Sequence, residues 1–223
     1  MSTAALAPQT HGEMIEDPIQ QQVAALVDDL IVRLPNPAEL TSLERRGIIA
    51  RYTAVLEGNF IYWMTAASIA AHADEVRPIF AENLFEEVRD AHPIMLRKFA
   101  IAAHAFPTDT DALAIDSDLN NMRRFLGRLQ GVQSVLSMAF FECWIQRFMG
   151  FLAELAKAEG STEMEYTNVH GVCDIHHTAE LFRALQLEMA ITPCSPDADL
   201  FEGVDLLRTL ILAILASPLT VAA

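Results

Sequence analysis

The sequence has little of what marks several common protein classes. Its three cysteines are too few, and odd in number, for a disulfide framework in a chain of 223 residues. Nine glycines and ten prolines are too few for a low-complexity or collagen-like chain. No internal repeat and no period-two run flanked by turns is present, so β-strands are not predicted. What remains is a globular composition, with 52% hydrophobic residues.

Positive charge is also scarce. The formal net charge is -15 and the isoelectric point is near 4.7, which argues against binding to nucleic-acid phosphates or to an anionic membrane surface. The most apolar run, 210–216, is too short to span a bilayer, and the first residues lack the basic and apolar regions of a signal peptide. We therefore expect a cytoplasmic protein with neither nucleic acid nor a membrane as partner.

Helix signals are present along most of the chain. Asp17 before Pro18 predicts an N-cap and a first-turn proline, and Thr41 with Glu44 predicts a capping box that opens a long helix to about residue 72. We expect a flexible leader at 1–16, one helical domain at 17–218 and a tail at 219–223. The fold class predicted is an all-α, up-and-down bundle of about seven helices.

Further signals divide the second half of this domain. The stretch 107–111 reads as a loop, Ser117 as the cap of the following helix, and Gly131 as a bend before a helix that continues to about residue 159. Thr162 with Glu165 predicts another capping box, and a last helix is expected at about 199–217.

A set of metal-ligand residues lies on the helix predicted after Gly160. His170, Asp174 and His177 are four and seven residues apart, and at about 100° per residue they project from one helical face. Two imidazoles and a carboxylate on one face are typical of a metal site, although buried histidines can also be satisfied by backbone carbonyls.

A carboxylate at Glu142 is predicted to be buried, because its helical neighbours are apolar. Burial without compensation costs several kcal/mol, so Glu142 requires a cation or a proton. The alternatives are a metal ion and an ion pair with Arg123, Arg124 or Arg147.

A third set lies at Glu86, Glu87 and His92. On one ideal helix Glu87 and His92 would point about 140° apart, so they face one centre only if the helix is interrupted. Pro93 disfavours helical geometry in the residue before it and predicts a break near 90–92. Two glutamates followed by a histidine are also common on solvated helices.

These residues together resemble the heme-oxygenase-like dimetal oxidases. The resemblance rests on ENLFEE followed by a His, a Glu inside an aromatic-rich helix, and HxxxDxxH on a later helix, over about residues 20–217. Asn83, four residues ahead, selects Glu87 over Glu86 as the first ligand. The metal ligands that the resemblance implies are Glu87, His92, Glu142, His170, Asp174 and His177.

The resemblance implies a non-heme diiron enzyme with two Fe(II) ions as cofactor and O2 as co-substrate. Three carboxylates and three imidazoles are harder ligands than the thiolates that favour zinc or iron–sulfur clusters, and they suit ferrous iron. Cys143 and Cys173 are expected to point away from the ligands as packing residues. The segment between Glu87 and His92 is short by the family's standards. Members that consume their own side chains carry a Tyr and a Lys where this chain has Phe141 and Leu152, which favours an external substrate.

The expected substrate is a small molecule, an amino acid or amine, in a biosynthetic pathway, with desaturation, C–C cleavage or N-oxygenation as the outcome. Candidate substrate-binding residues are Arg51, Tyr62, Arg123 and Arg147. Alternatives are a fatty-acid decarboxylase or desaturase of the same family, a metal-free thiaminase-like or cofactorless-oxidase relative, and a binding protein with a degenerate site. We also expect a homodimer.

Overall fold

A computed structural model describes residues 17–192 and 197–216, and within these ranges all regular secondary structure is helical, with no strand. This confirms the predicted all-α bundle, with eight helices in place of about seven. The helices are α1 Pro18–Val32, α2 Ser42–Ala70, α3 Val76–Arg89, α4 His92–Ala102, α5 Asp109–Leu126, α6 Gly131–Ala158, α7 Glu165–Ile191 and α8 Glu202–Leu215. The predicted leader and tail lie outside the described residues.

Side chains at two helix starts do what the sequence predicts. Asp17 Oδ1 accepts a hydrogen bond from the backbone nitrogen of Ile19 at 2.8 Å, with Pro18 as the first residue of α1. Thr41 and Glu44 form a reciprocal capping box at the start of α2. Such boxes satisfy backbone N–H groups that have no partner within the helix.

Two other predicted helix starts are wrong. Ser117 lies inside α5, which begins eight residues earlier at Asp109 because Thr108 and Asp111 form a capping box in the stretch predicted as a loop. Thr162 and Glu165 form no box, and Met164 precedes α7 without a side-chain cap. The predicted bend at Gly131 is instead the first residue of α6, after a turn at 127–130.

The predicted break before Pro93 is confirmed. α3 ends at Arg89 and α4 begins at His92, and between them Ala91 adopts a left-handed conformation with φ 56° and ψ 42°. Left-handed backbone is uncommon outside glycine, and here it separates the two helices. Glu87 and His92 therefore lie on two different helices.

The core is centred on α6, which packs against α1, α2, α4, α7 and α8. α6 is apolar and long enough to cross a membrane by length and composition, but 78% of its most apolar window is buried inside the bundle. Fully buried aromatic side chains of α2 and α6, among them Tyr52, Trp63, Trp144 and Phe148, fill the centre. The ligand-type residues lie beside this aromatic core.

Candidate metal centre

Four helices bring the six predicted ligands into one buried region. α3 supplies Glu87, α4 supplies His92, α6 supplies Glu142, and α7 supplies His170, Asp174 and His177. Each of the six residues is between 1% and 5% exposed. His170, Asp174 and His177 share one face of α7, as their four- and seven-residue spacing predicts, and this face points into the bundle.

The first of two clusters is the Glu87 group, made of Glu87, His92 and His170. Their ligand atoms all lie within 4.8 Å of one another. Oε1 of Glu87 is 2.8 Å from Nδ1 of His92 and 3.7 Å from Nε2 of His170. Two imidazoles thus face one carboxylate oxygen, an arrangement of donor atoms that suits a divalent metal ion.

The second cluster is the Asp174 group, made of Cys173, Asp174 and His177, whose ligand atoms also lie within 4.8 Å of one another. Nδ1 of His177 is 3.7 Å from Oδ1 of Asp174. The expectation that Cys173 points away from the ligands is wrong, since its Sγ lies 3.1 Å from the same Asp174 oxygen. Burial and the adjacent Asp174 raise the pKa of the Cys173 thiol, so the thiol stays protonated and donates a hydrogen bond to Asp174.

Glu142 lies against both clusters. It lines a cavity together with all three residues of the Glu87 group, and its Oε1 is 3.8 Å from Nδ1 of His177. No ion pair with Arg123, Arg124 or Arg147 is present among the described contacts of Glu142; its hydrogen-bond partner is the side-chain amide of Asn83, at 2.9 Å. Glu142 therefore faces residues of both clusters.

The charges in the two clusters perturb one another. Burial would raise the pKa of Glu87, but the imidazoles of His170 and His92 outweigh it and lower that pKa to about 2. Burial and the neighbouring Asp174 raise the pKa of Glu142 well above its usual range. Burial would lower the pKa of His177, but the Asp174 and Glu142 carboxylates outweigh burial and raise that pKa to about 9. The imidazoles therefore stabilise the charged form of Glu87, whereas burial favours the protonated form of Glu142.

Neighbouring groups fix the imidazole orientations. Nδ1 of His170 donates to the backbone oxygen of Tyr166 at 3.0 Å, which directs Nε2 toward Glu87. Nε2 of His177 donates to Oε2 of Glu86 at 2.9 Å, which leaves Nδ1 facing Asp174 and Glu142. Hydrogen bonds of this kind orient metal-ligating histidines and increase their basicity.

Unsatisfied atoms in the same region test whether metal ions fit. Three buried polar atoms have no hydrogen-bond partner: Oδ1 of Asn83, Oδ2 of Asp174 and Nδ1 of His177. Each such atom costs about 1–3 kcal/mol, and native proteins contain only a few of them per 100 residues. A cation bonded to Asp174 and His177 would satisfy two of the three, so the residues present fit a metal centre.

A cavity adjoins the Glu87 group on the side of α2 and α4. It has a volume of about 20 Å³, room for about one water molecule. Its apolar wall consists of Leu56, Phe60, Pro93, Leu96 and Ile145. Its polar wall consists of Tyr166 and ligand-type residues alone. The cavity opens directly onto the Glu87 group.

The four predicted substrate-binding residues lie away from the cavity beside the Glu87 group. Arg51 donates to the backbone oxygens of Ile214 and Ala216 at the end of α8. Arg123 donates to Oδ1 of Asn59, Arg147 pairs with Asp28, and Tyr62 is 49% exposed. None of the four lines the cavity beside the Glu87 group.

Two contacts in the site were not predicted from the sequence. Glu86 was considered only as a rival to Glu87 as the first ligand, and Asn83 only as the residue that selects between them. Their hydrogen bonds to His177 and Glu142 join residues that are 91 and 59 positions apart. A weak signal was present, because Glu86 and Asn83 are three residues apart and share a face of α3.

No protein-family model matches the chain, and no curated protein matches its sequence. The resemblance to heme-oxygenase-like dimetal oxidases therefore stays a prediction, as do the identity of the metal and the substrate. The cytoplasmic location and the homodimer also stay predictions.

Proposed function

We propose that the chain is a non-heme dimetal oxidoreductase that holds two ferrous ions and uses O2 to oxidise a small organic substrate. The observation that supports this proposal most is the convergence of six buried ligand-type side chains from α3, α4, α6 and α7, three of them carboxylates and three imidazoles. Oxygen and imidazole donors of this kind suit iron and manganese. Unsatisfied polar atoms in the same cluster favour a bound cation over a purely structural network.

The chain's own residues would prepare the site for the ions. Glu87, His92 and His170 would hold one ion, Asp174 and His177 the other, and Glu142 would contact both. The backbone oxygen of Tyr166 and the carboxylate of Glu86 hold the histidine ring orientations. Bound ferrous iron would supply the electrons for reaction with O2, and the buried, aromatic surroundings exclude bulk water from the reacting groups.

The cavity lining bears on the substrate. An amino acid requires a countercharge for its carboxylate, yet the described lining contains no arginine or lysine, and its non-ligand residues are apolar except for Tyr166. This observation favours the second candidate, a fatty-acid decarboxylase or desaturase, over the amino-acid or amine oxidase that the sequence favoured. Because the cavity has a volume of only about 20 Å³, side chains of its apolar wall such as Leu56 and Phe60 would have to move apart to admit a fatty-acid chain.

The decisive experiment is anaerobic titration of the metal-free protein with Fe(II), followed by exposure to O2 with each of a panel of amino acids, amines and fatty acids. We expect about two ions per chain and an optical change that depends on one substrate class. Fewer than about one ion per chain would reject the proposal and leave the metal-free thiaminase-like or cofactorless-oxidase alternative.

Turnover with an amino acid but with no fatty acid would restore the sequence-based preference. Tight binding of iron with no substrate-dependent oxygen consumption would favour a metal-binding protein that is not an oxidase.

A further inference from the structure

A second cavity lies on the opposite side of the ligand residues, between α3 and α7. We call it the α3–α7 cleft; it has a volume of about 10 Å³ and shares no lining residue with the cavity beside the Glu87 group. Glu82, His176 and Glu180 form its outer wall, and Asn83 and His177 belong to its inner wall. Ile79 and Leu181 complete the lining. Glu82 and His176 are exposed, so the cleft reaches the protein surface.

The inner wall carries two of the unsatisfied atoms of the site. Asn83 is 3% exposed and His177 is 5% exposed, and Oδ1 of the first and Nδ1 of the second have no hydrogen-bond partner. Nδ1 of His177 is also the atom that lies 3.7 Å from Asp174 and 3.8 Å from Glu142. The inner end of the cleft is therefore the outer boundary of the Asp174 group.

The charge along the cleft is negative. Glu82 and Glu180 line it, and Glu86 lies beside it through its hydrogen bond to His177. Glu180 pairs with Arg183 at 2.6 Å, while no ion pair involves Glu82 within the described part of the chain. With a formal net charge of -15, the whole protein also attracts cations, and a cleft lined by one sign of charge concentrates that attraction.

The cavity on the other side has no charged residue outside the ligand set. Its other walls are Leu56, Phe60, Pro93, Leu96, Ile145 and Tyr166, whereas the cleft has carboxylates at its mouth beside the apolar Ile79 and Leu181. Because carboxylates offset part of the cost of removing water from a dication, the cleft is the easier of the two routes for a metal ion.

We propose that divalent metal ions reach the ligand residues through the α3–α7 cleft, with Glu82, His176 and Glu180 as a transient outer binding site. The ion passes from these exposed groups to Nδ1 of His177 and the carboxylate of Asp174. This inference rests on the proposed function only in requiring that the chain binds metal, and it requires neither iron nor a particular substrate.

The test is the rate at which the metal-free protein takes up Co(II), followed by stopped-flow absorption. The cleft variant is Glu82→Gln/Glu180→Gln. The control variant is Glu154→Gln/Asp109→Asn, which also removes two negative charges, but at exposed positions on α6 and α5. Thermal melting of both variants checks that the fold is retained.

We expect uptake by the cleft variant to be about tenfold slower than uptake by the control variant, because local charge governs the encounter rate. The final amount of bound Co(II) should be the same in both. Charge reversal by Glu82→Lys should slow uptake further.

The inference is overturned if the cleft variant takes up Co(II) as fast as the control, or if its final Co(II) content falls, since the latter would make Glu82 or Glu180 a ligand of the bound ion. Either result leaves the proposed metal centre intact. Absence of Co(II) and Fe(II) binding in the unmodified chain would instead reject the centre and the route together.

Discussion

The Glu87 group and the Asp174 group differ in how far their polar atoms are satisfied. In the first, one carboxylate faces two imidazoles, and burial of the charge is compensated within the group. In the second, Asp174 and the nearby Glu142 repel each other, and one atom each of Asp174 and His177 is left without a partner. The cavity beside the first group has no charged residue outside the ligand set, whereas the cleft beside the second has Glu82 and Glu180 at its mouth. The two groups therefore differ in how much of their buried charge the protein itself compensates.

The largest effect is expected from Glu142→Ala, because Glu142 lies against both groups. Removal of the shared carboxylate should reduce bound iron to less than about one ion per chain and activity by about 100-fold or more. Metal analysis and oxygen-consumption assays check this. Ile145→Ala is the matched control on the same helix: it removes side-chain volume from the cavity and should keep both ions. Two tightly bound ions in Glu142→Ala would show that the groups are independent.

His170→Ala and His177→Ala separate the two groups. Each variant should lose one ion and retain about one per chain, because each removes a ligand from one group only. Electron paramagnetic resonance of Mn(II)-loaded protein distinguishes a single ion from a coupled pair. Loss of both ions in both variants would mean that the groups form one inseparable site, and the comparison would fail.

Stability without metal should respond unequally to isosteric changes in the two groups. Glu87→Gln removes the partner of two imidazoles and should lower the free energy of unfolding by about 3 kcal/mol. Asp174→Asn removes the attraction to His177 together with the repulsion by Glu142, so the two effects offset each other and that free energy should change by less than about 1 kcal/mol. Urea unfolding in the presence of a chelator measures both. Equal losses would remove the electrostatic distinction between the groups.

Glu159 lies outside both groups and serves as a reference carboxylate. Its replacement should have only a small effect on the free energy of unfolding. Burial would raise its pKa, but Ser42, Arg45 and Arg46 outweigh it and lower that pKa. The stabilisation is therefore present above the unfolded-state pKa of about 4.3 and is lost as the pH falls through the folded-state value. Glu159→Gln should cost about 1 kcal/mol at neutral pH, and the difference from the unmodified chain should vanish in melting curves recorded in acid. A difference that persists in acid would assign the effect to packing.

The parts of this structure that depend on local sequence were predictable. The stripe of His170, Asp174 and His177 follows from helical periodicity, and the break before His92 follows from the steric demand of Pro93. The start of α5 was missed because Thr108 and Asp111 lie in a stretch of Pro, Thr and Asp that is equally typical of a loop.

Contacts between distant segments could not be predicted in the same way. The hydrogen bond between Glu86 and His177 depends on how α3 and α7 pack, which no local pattern specifies. The residues that line the cavity beside the Glu87 group also come from distant segments, so no local pattern predicts them. Positive charge alone suggests Arg51, Arg123 and Arg147 as binding residues, but in the structure each contacts another part of the protein.

Ala91 has a consequence for how this protein can vary. Its left-handed backbone turns the chain between Glu87 and His92, so that the two side chains approach to 2.8 Å across a junction of four intervening residues. One residue added to or removed from this junction would turn the following helix by about 100° and carry the imidazole out of reach. Insertions tolerated in most surface connections should therefore be deleterious at this one.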